Sequence, residues 1–184
     1  MRKLSLFLLL TVTAGSASAL ETFCEGNEAL LARYLDMSAV LFNGERDEAR
    51  AGEYYADRFR SPDVDVRRAG GGRRSADRPS GPERMRGVMR MYKRAFPQRE
   101  LINDVIVCND EFVIARVTVR GVMEGPFGAY APTGKPFEYR AIDIYRFDDE
   151  GKVFERWGVA DSGKLLRDVG ILQEAPGVRL GAGD

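Results

Sequence analysis

Phe137-Glu138-Tyr139-Arg140-Ala141-Ile142-Asp143-Ile144-Tyr145-Arg146-Phe147 alternates in step with a pleated strand. Side chains two residues apart share a face. Phe137, Tyr139, Ala141, Asp143, Tyr145 and Phe147 therefore form an apolar, aromatic side, and Glu138, Arg140, Ile142, Ile144 and Arg146 form the other. One carboxylate, Asp143, falls on the side that should be covered. Burial there strips water from the charged form and raises its pKa, the condition for a carboxylate to exchange protons near neutrality. The alternative is a structural Asp satisfied by tyrosine hydroxyls, an arginine or a buried water.

Outward from this strand the same period continues. Strands are expected at 101–108, 111–123, 136–147 and 152–159, with hairpin turns at Asn109-Asp110 and at Asp148-Asp149-Glu150-Gly151. Val113, Ala115, Val117, Val119 and Met123 share one face, and Arg116, Thr118 and Arg120 take the other, unless a bulge at Gly121 reverses the parity. On the last strand Val153, Glu155, Trp157 and Val159 line up. Glu155 is either a second pocket acid or the partner of an arginine. Trp157 is either core or a ligand platform.

The first half reads as helix. Leu30, Leu31, Tyr34, Leu35, Leu41 and Phe42 form a stripe over 27–42 that Asn43-Gly44 ends. Asp47 caps a shorter helix through Tyr55. Met85, Val88, Met89 and Tyr92 give the apolar face of a third helix that starts near Pro82 and closes at Phe96-Pro97. Methionines on that face serve as core or line an adaptable pocket. Gly163 to Val169 makes a short terminal helical turn, and 175–184 reads as a flexible tail. Helices first and antiparallel strands afterwards mean α+β. Helices covering one face of a bent sheet enclose a cone-shaped cavity suited to a small molecule.

Composition narrows the chemistry. Among 184 residues there is no histidine. That removes Ser-His and Cys-His pairs, histidine metal sites and an imidazole base, and neither a metal nor a cofactor is expected. Lys and Arg total 28 and so do Asp and Glu, which leaves no electrostatic footprint for nucleic acid. Arginines cluster between Arg58 and Arg99, with Arg67-Arg68 and Arg73-Arg74 in a Gly-rich segment that is either a solvated loop or an anion-binding lid. Arg2 and Lys3, the apolar run Leu4 to Val12, and Ala17-Ser18-Ala19 make residues 1–19 a signal peptide cut after Ala19. The run is too short for a stable membrane anchor. The expected product is a periplasmic or secreted domain over 20–174. In that compartment Cys24 and Cys108 either pair, tying the first helix to a strand, or stay as buried thiols.

Several motifs together resemble the SnoaL-like polyketide cyclases, or ester cyclases, of the nuclear transport factor 2-like superfamily. They are Ala115 to Gly121, Gly125-Pro126-Phe127, Pro132-Thr133-Gly134-Lys135, Ile142 to Phe147, Gly151-Lys152-Val153 and Glu155-Arg156-Trp157-Gly158. Phe42-Asn43-Gly44, Ala95-Phe96-Pro97, Asp161 and Leu165-Leu166 extend the match over about Asn27 to Leu172. The resemblance implies an α+β cone-shaped barrel, N-terminal helices packed on a strongly curved, mostly antiparallel sheet, often as a homodimer. It implies a cofactor-free intramolecular aldol closure on a carbonyl compound, begun by an Asp on the strand after the Pro-Thr-Gly loop, which matches Asp143. Relatives commonly carry histidines where this chain has Met123 and Arg156. Two readings stay open: acid/base chemistry of the aldol cyclase or isomerase type centred on Asp143, or a non-catalytic binding or dimerising module. For either, the ligand is a small apolar or carbonyl-containing molecule. The expected cavity wall is Tyr34, Met89, Met123, Phe137, Tyr139, Tyr145, Glu155 and Trp157.

Overall fold

The computed structural model describes residues 20–44, 46–62 and 79–173. The signal peptide expected at 1–19, most of the Arg- and Gly-rich segment at 67–82 and the tail expected at 175–184 lie outside them.

Strand β1 (Glu21–Phe23) leads into α1 (Glu28–Met37), which continues as one π-helical stretch, Ser38–Phe42. A 3-10 turn, Glu48–Arg50, opens α2 (Ala51–Tyr54), and Asp47 caps it by accepting from the Ala49 N–H at 3.1 Å. The chain then turns straight into β2 (Tyr55–Arg60). The expected helix through Tyr55 is thus one residue too long. Helix α3 (Gly81–Ala95) starts with a capping box between Ser80 and Glu83, has Pro82 in its first turn, and ends in Lys93 and Arg94. Each of these favours a helix there, by satisfying free N–H groups or by opposing the helix dipole.

Strands β3 (Glu100–Asn109), β4 (Phe112–Val122), β5 (Pro136–Phe147) and β6 (Val153–Ala160) follow, then α4 (Ser162–Asp168). The sheet order is β1-β3-β4-β5-β6-β2. The four long strands pair antiparallel, and the short β1 and β2 add parallel edges. The sheet does not close, so the molecule is an α+β open cone rather than a complete barrel. Asn109 pairs with Phe112, so the β3–β4 turn is Asp110-Glu111, one residue later than Asn109-Asp110. Asp110 takes the left-handed φ of 45° that such a two-residue turn needs.

The alternation on β4 and β5 holds without a break. Val113, Ala115, Val117 and Val119 are buried, as are Phe137, Tyr139, Ala141, Asp143, Tyr145 and Phe147. The ladder from Phe112–Arg146 to Val122–Pro136 is continuous, so Gly121 carries no bulge. Helices α1 and α3 cover this inner face, with Tyr34, Met37, Leu41, Met89 and Phe96 in one core with it. The outer face carries Arg116, paired with Asp104 at 3.7 Å, and exposes Ile114, Ile142 and Val159. Among the described residues no helix is long and apolar enough to cross a membrane.

Cys24 and Cys108 form a disulfide across 84 residues. It does not tie a helix to the sheet as expected. It sits where β1 runs parallel to β3, beside the Phe23–Val107 pair. A three-residue edge strand has few hydrogen bonds of its own, and the crosslink fixes it. In the chain-entropy model a loop this long is worth about 4–5 kcal/mol at most.

Candidate functional site

Between the inner face and the helices lies a cavity of about 350 Å³. Its apolar wall comes from Leu41 and Phe42 after α1, Met85, Met89 and Tyr92 of α3, and Val117, Val119, Tyr139 and Ala141 of the sheet. Such a volume, with few polar groups among many apolar ones, is that of a small-molecule site. The polar groups are Asp143, Arg156, Tyr145 and Tyr55, with Arg46, Ser61, Arg84, Lys93 and Arg99 also on the wall.

Asp143 is 7 % exposed. Its Oδ1 accepts a hydrogen bond from Arg156 Nη2, and its Oδ2 accepts from the Tyr145 hydroxyl at 3.3 Å. Burial pushes the Asp143 carboxyl above its ordinary range, and the Arg156 guanidinium and the Tyr145 hydroxyl hold back part of that rise. The result is a desolvated carboxylate with a cation fixed beside it.

A register slip makes this pair. Arg146 pairs with Glu155 but Phe147 pairs with Val153, so Phe154 is an extra residue in β6. Beyond the slip Arg156 stands opposite Tyr145, and Gly158 opposite Asp143. Parity counted from Val153 therefore fails at Glu155: Arg156 turns to the cavity, and Trp157 pairs with Ile144 on the outer side. Gly158 completes the arrangement. A Cβ there would press on Asp143 Oδ1 and stand 2.8 Å from Arg156 Nη2. Only a residue without a side chain leaves the carboxylate and guanidinium room to meet.

Among the described residues, three buried polar atoms on the cavity wall have no hydrogen-bond partner: the Tyr55 hydroxyl, Ser61 Oγ and Arg99 Nε. Unpartnered buried groups are costly and mark places a ligand would satisfy. Burial, with Asp143 opposed by Arg156, drives the Tyr55 hydroxyl well above its ordinary range, so it keeps its proton and stays a donor. Tyr139 is likewise pushed up to about 12, chiefly by burial.

Of the residues expected on the wall, Asp143, Met89, Tyr139 and Tyr145 line the cavity, and the rest do not. Tyr34 lies behind Tyr145, with ring centroids 5.5 Å apart, and donates to Asn103 Oδ1 at 2.8 Å. Met123 follows the end of β4 and is fully buried in the core. Phe137 packs edge-on against Phe96. Glu155 is bound by Arg60 Nε at 2.8 Å and by Arg146 at 3.6 Å, the arginine-partner alternative. Trp157 is carried to the outer side by the slip. Sequence reading singled out Arg156 only as a position where relatives carry histidine, without placing it on the cavity wall, and missed Tyr55, Ser61, Arg46 and Arg99 there. A further signal was present for Arg156: a glycine inside a strand, Gly158, marks a close approach.

The family model for SnoaL-like polyketide cyclases matches residues 33–169. Solved structures share the fold. TsrD from Streptomyces laurentii is 23 % identical with a TM-score of 0.60, covering 79 % of this chain and 95 % of its own. AclR from Streptomyces galilaeus, a proposed hydroxylase, is 26 % identical with a TM-score of 0.59, covering 79 % and 98 %. IdmH from Streptomyces antibioticus, a proposed polyketide cyclase, is 23 % identical with a TM-score of 0.57, covering 77 % and 98 %. No curated protein matches the sequence.

The packing at Gly158 is checked by substitution. Gly158→Ala should lower stability by about 1–3 kcal/mol through overpacking against the ion pair. Gly87→Ala, in α3 with nothing near the added carbon, should instead raise it by up to about 1 kcal/mol. Urea denaturation of both variants reads the contrast, and equal effects would remove the steric role of Gly158.

Proposed function

We propose that this chain, which belongs to the SnoaL-like polyketide cyclase family, binds a small, mostly apolar carbonyl compound and abstracts a proton next to the carbonyl with Asp143. The observation that carries this reading is the desolvated Asp143 carboxylate on the cavity wall, held between Arg156 and Tyr145.

The chemistry follows from the donors around it. The Asp143 carboxylate takes the α-proton, the C–H bond breaks, and its electron pair moves onto the carbonyl oxygen as an enolate. Arg156 and the unpartnered Tyr55 hydroxyl supply a charge and a donor for that oxygen. The enolate carbon then bonds to a second carbonyl carbon of the same molecule, and the new alkoxide recovers the proton from Asp143. An isomerisation would return the proton to a different carbon instead. Neither route needs an imidazole: Arg156 supplies the positive charge without itself exchanging a proton.

Deuterium exchange at the α-carbon of 2-tetralone, followed by NMR in heavy water, tests the first step. Asp143→Asn should slow the protein-dependent exchange by at least about 100-fold. Its circular dichroism spectrum should stay that of the parent, although leaving Arg156 without its carboxylate should cost about 3–5 kcal/mol of stability. Exchange that survives in folded Asp143→Asn would make Asp143 structural, and binding of the ketone without exchange in the parent would make the protein a binding module.

The acid limb of the exchange rate gives a second check. The folded Asp143 carboxyl titrates above the ordinary 3.8, because burial disfavours its charge. The stability it contributes is thus complete below that ordinary value and is lost as pH rises through the folded pKa. Activity runs the other way, appearing as the carboxylate forms. The limb should therefore lie above pH 3.8, and Arg156→Gln should move it further up by removing the cation that favours ionisation. A limb unmoved in this variant would uncouple the two groups.

Export to an oxidising compartment belongs to the same proposal. The charged and apolar start, Ala17-Ser18-Ala19 and the Cys24–Cys108 disulfide support it. The intact mass of protein recovered from a periplasmic or culture fraction should correspond to Leu20 onward with no free thiol. A mass that retains Met1 to Ala19 would refute it.

A further inference from the structure

Two arginines of the cavity wall, Arg46 and Arg99, have no ion-pair acid among the described residues. Asp143 is the only carboxylate among the described lining residues, and Arg156 already engages it. Arg46 and Arg99 stand on the same wall, and neither has a carboxylate within ion-pair distance among the described residues. Arg46 is 7 % exposed and donates to the backbone oxygens of Phe96, at 2.9 Å, and Pro97. Its neutral carbonyl partners leave its positive charge uncancelled. Arg99 lies with its guanidinium 5.1 Å from the centroid of the Tyr92 ring, and its Nε is buried with no acceptor. The two cations are close enough that, after burial, Arg99 is what lowers the pKa of Arg46. Two like charges turned toward a low-dielectric space, one with an empty donor, cost free energy until an anion arrives.

Their position says which part of a ligand they meet. A Cβ on Gly121 would lie 3.2 Å from the Arg99 Cα, and Gly121 pairs with Phe137 near the start of β5. Asp143 lies farther along the same strand, beyond the cavity-lining Tyr139 and Ala141. The cavity wall thus runs from Asp143 past Tyr139 and Ala141 to Arg99 and Arg46, and the charge of Arg99 still reaches Asp143.

We propose that the cavity takes an amphiphilic carboxylic acid in its ionised form: an apolar, carbonyl-bearing body toward Asp143, and a free carboxylate received by Arg99 beside Arg46. This rests on the reading of the cavity as a ligand site and adds the charge of its substrate class, a free acid rather than an ester. A carboxylate fits because a planar guanidinium receives it through parallel N–H donors, and because a single negative charge is the least costly anion to bring into an apolar pocket.

Titration calorimetry with octanoate and methyl octanoate separates charge from apolar body. The protein should bind octanoate at least about tenfold tighter than the ester, the order of one charge-assisted hydrogen bond. Arg99→Gln should bring that ratio near one while leaving ester binding unchanged. Arg99→Lys, which keeps the charge but loses the Nε donor, should retain part of it and provides the reading if the glutamine variant does not fold by circular dichroism. Equal binding of acid and ester, binding of neither, or a preference that survives both substitutions overturns the proposal. Exchange of the uncharged 2-tetralone should persist in Arg99→Gln, with its acid limb moved up because the Arg99 charge favours ionisation of Asp143. In the unsubstituted protein, exchange without an acid preference therefore defeats only this inference, and an acid preference without exchange defeats only the acid/base reading.

Discussion

The contact between Asp143 and Arg156 is the constraint around which the cavity is built. A carboxylate and a guanidinium withdrawn from water are each costly, and they are tolerable only when they meet with good geometry. Three features of β5 and β6 bring them together. The pleat of β5 turns Asp143 inward, the extra residue in β6 turns Arg156 inward, and Gly158 leaves the space between them empty. Tyr145, two residues from Asp143 on the same face, gives the second carboxylate oxygen a donor. The carboxylate is positioned by main-chain register on two neighbouring strands of a continuous sheet, a more rigid mount than a loop.

The rest of the molecule keeps that pair dry and accessible from one side. Helix α3 supplies methionine and tyrosine over the inner face, and the end of α1 supplies Leu41 and Phe42. Two tyrosines behind the wall are satisfied by structural partners: Tyr34 by Asn103, and Tyr54 by Asp36 at 2.7 Å. Tyr55, the next residue along, has no hydrogen-bond partner for its hydroxyl among the described residues and faces the cavity. A single step from the end of α2 into β2 separates a packing tyrosine from one available to a ligand. Arg46 and Arg99 stand along the same wall, and the charge of Arg99 reaches Asp143, where it favours the ionised carboxylate.

The sheet was legible because its signal is local. Alternation in 113–119 and 137–147 is long, regular and unbroken in the folded chain, so faces assigned by counting are the faces observed. The capping residues of α3 were legible for the same reason, since a helix start needs partners only three residues away. Counting failed where the backbone departs from regularity. One extra residue at Phe154 inverts every side chain after it, which exchanged Trp157 for Arg156. It failed again for Tyr34, Phe137 and Met123, which do face inward but end in the packed core instead of the open space.

Sequence alone determined the α+β class, the inner faces of β4 and β5, and the placement of a carboxylate, Asp143, on a buried side, because these follow from side-chain period and hydrophobicity within a few residues. It also determined that whatever chemistry occurs uses no imidazole. Tertiary structure decided which cation meets that carboxylate, which buried hydroxyl lacks a partner, and where the surplus arginines gather. Those depend on the register between strands and on side chains distant in the chain meeting around one void, and neither is encoded in any single stretch.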